Sequence, residues 1–152
     1  MTDTAIRIVE TRHEAWGLAN PFIISRGSKT KADVVVVEVS DDQHVGRGEA
    51  VPYARYGETI DDTLATLRAI TGPVEREAVQ GLLPAGAARN ALDCALWDLE
   101  AKRAGKRAWE LAGLSAPQPV MTAYTLSVGP PSAMAEAAKA VPHLKLLKLK
   151  LT

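Results

Sequence analysis

The chain has 152 residues, of which 47% are hydrophobic and 24% charged, as in an ordinary folded domain and unlike a disordered segment. Lysine and arginine number 18 against 18 aspartate and glutamate, with no basic block, which argues against nucleic acid as a partner. No apolar run reaches the roughly 18 residues that would cross a bilayer, and a single cysteine allows no internal disulfide. The charged N-terminal segment is unlike a secretory signal, so we expect a cytoplasmic protein without a membrane partner.

Three apolar segments rich in β-branched residues open the chain and predict strands at Ala5–Ala15, Asp33–Ser40 and Val45–Val51. The second contains four consecutive valines and is followed by a polar turn, Asp41–His44, so the second and third strands are predicted to form a β-hairpin. Between the first two strands, Gly17–Lys31 contains Asn-Pro and Arg-Gly-Ser signals. We predict a long loop there.

The hydrophobic period then changes from two to that of a helix. Apolar residues at helical spacing predict one helix at about Thr59–Ala69 and a longer one at Ala87–Ala104. The longer helix has a stripe of alanine and leucine that permits close packing against a sheet. Asp98 and Lys102 form a favourable i,i+4 pair, and Gly105 supplies a left-handed stop.

A strand, a helix and a second strand follow, at Met121–Val128, Pro130–Val141 and Lys145–Leu151. This order is a βαβ unit, which predicts a parallel strand pair. The predicted fold is therefore an α+β domain over residues 1–115 followed by the first βαβ of a (β/α) barrel over residues 120–152. A closed barrel of this kind needs about 250 residues, so we expect the barrel to be truncated here.

Two lysines alternate with leucines near the end of the chain. Lys148 and Lys150 are two residues apart on a predicted strand, so their side chains share one face. Such a strand is commonly a half-exposed edge. On the inner face of a barrel, however, two ammonium groups would repel each other and be partly desolvated, which favours the neutral amine that abstracts a weakly acidic C–H proton.

Other polar residues have ordinary interpretations when taken by spacing alone. The Gly-Arg-Gly of Gly46–Gly48 is not a nucleotide-binding loop, because no helix opens after it and the third glycine is absent. Asp93, Asp98 and Glu100 lie among charged neighbours on the long helix, so we predict salt bridges and no metal site within the chain.

Six stretches together resemble the enolase superfamily and, within it, the dipeptide epimerases of the L-Ala-D/L-Glu epimerase type. The long helix motif and the Lys-x-Lys strand are the more specific signals for the superfamily. The stretches occur in family order and are Phe22–Gly27, Gly46–Ala50, Tyr56–Glu58, Arg89–Lys102, Thr122–Thr125 and Leu147–Lys150.

The resemblance implies that residues 1–115 form the capping domain and residues 120–152 the start of the barrel. It also implies Mg²⁺ as cofactor, with its carboxylate ligands on later strands beyond residue 152. A second base on the opposite face of the substrate would also lie there. We therefore expect these 152 residues alone to be inactive.

The resemblance further implies the roles of four residues. Lys150 matches the base on one face of the substrate α-carbon, and Lys148 matches a lysine that assists it by position and charge. Thr125 and Arg26 match substrate-binding positions. The implied reaction is a Mg²⁺-assisted 1,1-proton transfer on a small dipeptide such as L-Ala-L-Glu, and a homo-oligomer is compatible with it.

Two alternatives remain open. A cycloisomerase of the muconate type or an o-succinylbenzoate synthase resembles the epimerases in fold and in its lysine pair, but uses proton abstraction for another outcome. A cap-domain fragment that serves as a non-catalytic interaction module is the second alternative.

Overall fold

The computed structural model describes residues 5–25 and 27–151. The chain packs as two compact units. The first comprises Met1–Trp16 and Asp33–Ala116, and the second comprises Gly17–Ala32 and Pro117–Thr152. Residues 17–32 therefore pack with the end of the chain, although they lie within the segment that the sequence assigns to the first domain.

A three-stranded sheet is built from β1 (Arg7–Ile24), β2 (Gly27–Ser40) and β3 (Val45–Ala50), in the order β1-β2-β3. Strands β2 and β3 are antiparallel, with Val35 opposite Ala50 at one end of the register. The predicted hairpin and antiparallel sheet are confirmed.

The predicted loop at Gly17–Lys31 is wrong. Strands β1 and β2 continue through most of this segment as two arms of a long hairpin. Pairing satisfies the backbone groups that the two arms direct at each other, which local turn signals do not reveal. Pro21 is tolerated because β1 is an edge strand of the sheet, where a missing N–H costs no ladder bond.

Two longer helices of the first unit agree with their predicted positions. Helix α1 (Ile60–Arg68) is preceded by Thr59, whose hydroxyl accepts a hydrogen bond from the Asp62 amide at 3.0 Å. Helix α3 (Ala87–Ala104) is followed by its C-cap Gly105, with a φ of 60°. Two helices of four residues, α2 and α4, are too short to produce a hydrophobic period. The helices are α1 (Ile60–Arg68), α2 (Val79–Leu82), α3 (Ala87–Ala104), α4 (Ala108–Leu111) and α5 (Pro131–Lys139), with 3-10 turns at Ala54–Tyr56 and Arg76–Ala78.

Helix α3 lies unusually close to β3, and two glycines make this possible. A Cβ placed on Gly46 would collide with the backbone of Ala95 and Leu99, and one on Gly48 would collide with the backbone of Ala91 and Ala95. The core between sheet and helix is apolar, and its fully buried members include Val35, Val37, Val39, Leu92, Leu96 and Leu99. The predicted packing of the small-residue stripe against the sheet is confirmed.

The N-terminus of α3 is capped from a distant part of the chain. Its own N-cap residue is Gly86, which has no side chain that could accept a hydrogen bond from the helix. Instead, one carboxylate oxygen of Glu58 accepts the Ala87 amide at 2.6 Å, and the other accepts the Tyr53 amide at 3.0 Å. A carboxylate here also interacts favourably with the positive end of the helix dipole. Glu58 thus holds the segment that precedes it against the start of α3.

Replacing Glu58 with alanine is expected to lower the free energy of unfolding by about 1–2 kcal/mol, because a helix cap and a second amide partner are lost. Glu58→Gln keeps one acceptor oxygen, so it should lower the free energy of unfolding by less. Urea unfolding of the two variants beside the wild type measures the difference. Equal stability of all three proteins would contradict this role of Glu58.

The turn between β2 and β3 is organised by Asp41, which is only 6% exposed. Its carboxylate accepts the amides of His44 at 2.7 Å and Gln43 at 3.0 Å, and its other oxygen lies 3.3 Å from the Arg103 guanidinium. The hydrogen bond from the His44 amide is the largest cause that lowers the pKa of Asp41 below its ordinary value, and the Gln43 amide adds to it, while burial opposes both.

A lowered pKa in the folded state means that the charged Asp41 stabilises the fold above the unfolded pKa, near 4, and that this contribution is lost as pH falls through the folded value. Asp41→Asn keeps an acceptor oxygen but does not titrate. The stability difference between wild type and Asp41→Asn should therefore be larger at neutral pH than at about pH 3. Denaturant unfolding at both values tests this, and a pH-independent difference would contradict it.

The second unit contains a short parallel sheet formed by β4 (Tyr124–Leu126) and β5 (Leu147–Leu149), with α5 between them in sequence. The predicted βαβ unit is confirmed. Its strands are shorter than predicted, although the ladder extends one bond further at each end, from the Tyr124 amide to Leu146 and from the Lys150 amide to Leu126. Within the described residues, every helix is too short or too polar to traverse a lipid bilayer.

Candidate active site

The parallel sheet of the second unit has two chemically different faces. Thr125 pairs with Lys148 and Leu126 pairs with Leu149 in the register of β4 and β5. Paired residues lie on the same face and successive residues alternate, so Thr125, Lys148 and, two residues on, Lys150 share one face. We call this the lysine face.

The opposite face carries the leucines. Leu126 is only 3% exposed, and α5 contacts β4. Leu149, on the same face of the neighbouring strand, is 53% exposed. Helix α5 therefore packs against the strand that carries Thr125 and Leu126.

Lys148 is exposed and Lys150 is partly buried. Within residues 5–25 and 27–151, no salt bridge involves Lys148 or Lys150. Thr125 is also partly buried and presents a hydroxyl beside Lys148. The structure therefore brings together three of the four predicted site residues, and Arg26 lies outside the described residues.

Ser127 lies near these residues and is not singled out by the sequence analysis. It follows β4 and is two residues beyond Thr125, so alternation directs both side chains to the lysine face. Its hydroxyl accepts the Ile23 amide at 3.2 Å and donates to the Pro21 carbonyl at 3.3 Å. Alternation from Thr125 was the available signal, but the sequence does not show which distant segment the hydroxyl meets.

Of the three carboxylates of α3 that were predicted to form salt bridges, Asp98 and Glu100 do so, and among the described residues no salt bridge is seen for Asp93. Asp98 lies 2.7 Å from the Lys102 ammonium, and Glu100 lies 2.8 Å from the Arg76 guanidinium. The same guanidinium stacks 4.1 Å from the centre of the Trp97 ring. These contacts stabilise the helix surface.

Across the part of the chain that the structure describes, no three His, Cys, Asp or Glu side chains are grouped so that they could hold a metal ion. The described residues therefore do not fit a Mg²⁺ site.

A surface depression of about 480 Å³ lies on the first unit, lined in part by Cys94, Trp97, Lys102 and Arg107. Partial burial, and then the negative charge of Asp93, raise the pKa of the Cys94 thiol. The thiol is therefore protonated at neutral pH and a poor nucleophile. None of the predicted catalytic or binding residues lines this depression.

A mixed sheet-and-helix domain followed by the first parallel strands of a barrel, with paired lysines on one face of those strands, is the architecture of an enolase-type enzyme. The family model described as "Mandelate racemase / muconate lactonizing enzyme, N-terminal domain" matches residues 6–113. The chain belongs to this family.

Two curated relatives show the similarity in sequence. The chain is 45% identical to an L-Ala-D/L-Glu epimerase of Escherichia coli over 152 residues, which cover 96% of this chain and 47% of the relative. It is 40% identical to an N-acetyl-D-glutamate racemase of a Pseudoalteromonas species, over 78% of this chain and 39% of the relative. The chain thus spans about half the length of the first relative and less of the second.

Solved structures show the same relationship. An enolase family member from Agrobacterium tumefaciens, bound to sodium and L-Ala-L-Glu with an ordered loop, is 43% identical with a TM-score of 0.83, over 94% of this chain and 45% of its own. A dipeptide epimerase from Enterococcus faecalis, in complex with Mg and L-Leu-L-Tyr, is 28% identical with a TM-score of 0.82, over 97% and 46% of the two chains. The predicted enolase-type fold is confirmed.

Proposed function

We propose that this chain is the N-terminal part of a dipeptide epimerase that inverts the α-carbon of an acidic dipeptide such as L-Ala-L-Glu. The observation that carries the proposal is the lysine face, where Lys148 and Lys150 lie on one side of the sheet beside Thr125. The E. coli relative and the structure bound to L-Ala-L-Glu support the choice of an acidic dipeptide, and the structure bound to L-Leu-L-Tyr supports a dipeptide in general.

In this proposal Lys150 is the base. Its amine takes the α-proton from one face of the substrate carbon, and the electron pair of the broken C–H bond moves into the adjacent carboxylate. Lys148 lies on the same face and stabilises the developing negative charge by its own positive charge. Thr125 binds the substrate from the neighbouring strand, and Arg26 binds a substrate carboxylate.

We also propose where the two domains, the metal ligands and the second base lie in the protein. We place residues 1–115 in a capping domain and residues 120–152 in the barrel. The Mg²⁺ ligands and the opposing base are placed beyond residue 152. We place the protein in the cytoplasm, and the reaction requires neither a membrane nor a nucleic acid.

The experiment is deuterium exchange in D₂O, followed by proton NMR on the full-length protein with Mg²⁺. We expect loss of the α-proton signal of the glutamyl residue of L-Ala-L-Glu and formation of the other epimer. N-acetyl-D-glutamate, suggested by the Pseudoalteromonas relative, and L-Leu-L-Tyr are comparison substrates that report on side-chain preference.

The exchange results separate the proposed epimerase from its two alternatives. A cycloisomerase would leave the dipeptide α-protons in place, and a non-catalytic binding module would exchange none of the three substrates. Residues 1–152 expressed alone provide a matched negative control, for which we expect no exchange. Exchange by this shorter chain at the full-length rate would contradict the placement of the second base beyond residue 152.

A further inference from the structure

The outer edge of β1 is hydrogen-bonded by the two residues that follow β4. Because β1 is an edge strand, Ile23 has an N–H and a C=O that point away from β2. The N–H donates to the Ser127 hydroxyl at 3.2 Å, and the C=O accepts the Val128 amide at 3.1 Å. The Ser127 hydroxyl in turn donates to the Pro21 carbonyl at 3.3 Å. Three hydrogen bonds thus join the hairpin arm to residues more than 100 positions away.

We propose that Ser127 is a positioning residue, whose hydroxyl holds the hairpin arm that leads to Arg26 against the substrate-binding end of β4. The inference rests on the proposed function, because it assigns a purpose to the arm only if substrate binds on the lysine face. In this role Ser127 acts through the hairpin arm and does not touch the substrate itself.

The chemistry of serine suits this place. One hydroxyl is both a donor and an acceptor, so it satisfies the Ile23 amide and the Pro21 carbonyl at once. Alanine would leave both groups without this partner. The backbone bond from the Val128 amide to Ile23 is independent of the side chain, so Ser127→Ala should loosen the arm without detaching it.

The position of Ser127 along the strand places its hydrogen bonds to the hairpin arm, which we call the anchor, near the proposed substrate site. Ser127 follows the carboxyl end of β4, and Thr125 precedes it by two residues on the same face. Active sites of (β/α) barrels are built at the carboxyl ends of their strands. An arm fixed at this end is ordered before substrate arrives, so binding costs less conformational entropy than with a free arm. Its loss should weaken substrate binding more than proton transfer by Lys150.

The test compares full-length wild type with Ser127→Ala, with Ser127→Thr as the hydroxyl-retaining variant and Ser132→Ala, on exposed α5, as the matched control. In Ser127→Ala we expect faster hydrogen exchange of the Ile23 amide. We also expect KM for L-Ala-L-Glu to rise about tenfold while kcat stays within about twofold. Ser127→Thr should restore both values, and Ser132→Ala should change neither.

Unchanged exchange at Ile23 in Ser127→Ala would overturn the anchor. Faster exchange with an unchanged KM, or a fall in kcat alone, would overturn its role in substrate binding. If the wild-type protein turns over no dipeptide, the proposed function fails, and with it the substrate role. The Ile23 exchange then still decides the anchor by itself, because it requires no activity.

Discussion

Replacing Lys150 with alanine in the full-length protein is expected to abolish proton exchange from one epimer of the dipeptide while exchange from the other continues. The proton on one face of the α-carbon loses its base, whereas the proton of the opposite epimer faces the other side. Positioned general-base catalysis is worth about 10²–10⁴-fold, or roughly 3–5 kcal/mol, so kcat for the affected epimer should fall by that factor. Net epimerisation should fail in both directions, because inversion needs a proton carrier on each face.

Replacing Lys148 with alanine is expected to have a different signature. Its positive charge lies on the same face as Lys150 and stabilises the negative charge that develops whichever proton leaves. Lys148→Ala should therefore slow exchange from both epimers to a similar extent. An epimer-selective loss in Lys148→Ala together with a uniform loss in Lys150→Ala would reverse the two roles.

Replacing Gly48 with alanine is expected to have the largest effect on stability. The added Cβ would meet the backbone of Ala91 and Ala95, and no side-chain rotation can relieve a clash with backbone atoms. The sheet and α3 would have to separate, which opens the core between them. Overpacking costs about 1–3 kcal/mol where side chains can adjust, so here we expect a loss of about 3 kcal/mol or more.

Gly72→Ala is the matched control for this prediction. Nothing lies within 4 Å of a Cβ at Gly72, so the same substitution there should leave the free energy of unfolding nearly unchanged. Urea unfolding of both variants provides the comparison. If Gly48→Ala were as stable as Gly72→Ala, the close approach of α3 to β3 would be wrong.

Local patterns were sufficient to predict much of the fold. The alanine and leucine stripe of α3 recurs at helical spacing, and the burial of Ala91, Leu92 and Ala95 follows from it. The four valines of β2 and the turn after them predict the hairpin with β3. In each case the signal lies within a short window of sequence, because the period of hydrophobic residues reflects one buried face.

Features that depend on distant partners were not predictable in this way. The Gly-Arg-Gly of β3 was excluded as a nucleotide loop, but its actual purpose, the close approach of α3, depends on residues more than 40 positions away. The arms of the β1–β2 hairpin were interpreted as a loop, because Pro21 is a turn signal when its place on an edge strand is unknown. Ser127 and Glu58 likewise acquire their roles only from the segments they meet.

The candidate site divides along the same line. The alternation of Lys148 and Lys150 with leucines assigns their shared face from the sequence alone, and the register with Thr125 agrees with it. The packing of α5 against β4 and the burial of Leu126 are known only from the structure. The role of Arg26 stays a prediction.

The most direct test of the proposed epimerase is α-proton exchange at the glutamyl residue, measured in D₂O by NMR for L-Ala-L-Glu and L-Ala-D-Glu in parallel. Full-length wild type should exchange both epimers, and Lys150→Ala should exchange only one. That result would show that the lysine face serves one side of the substrate carbon. Equal exchange of both epimers by Lys150→Ala, or none by the wild type, would contradict the account.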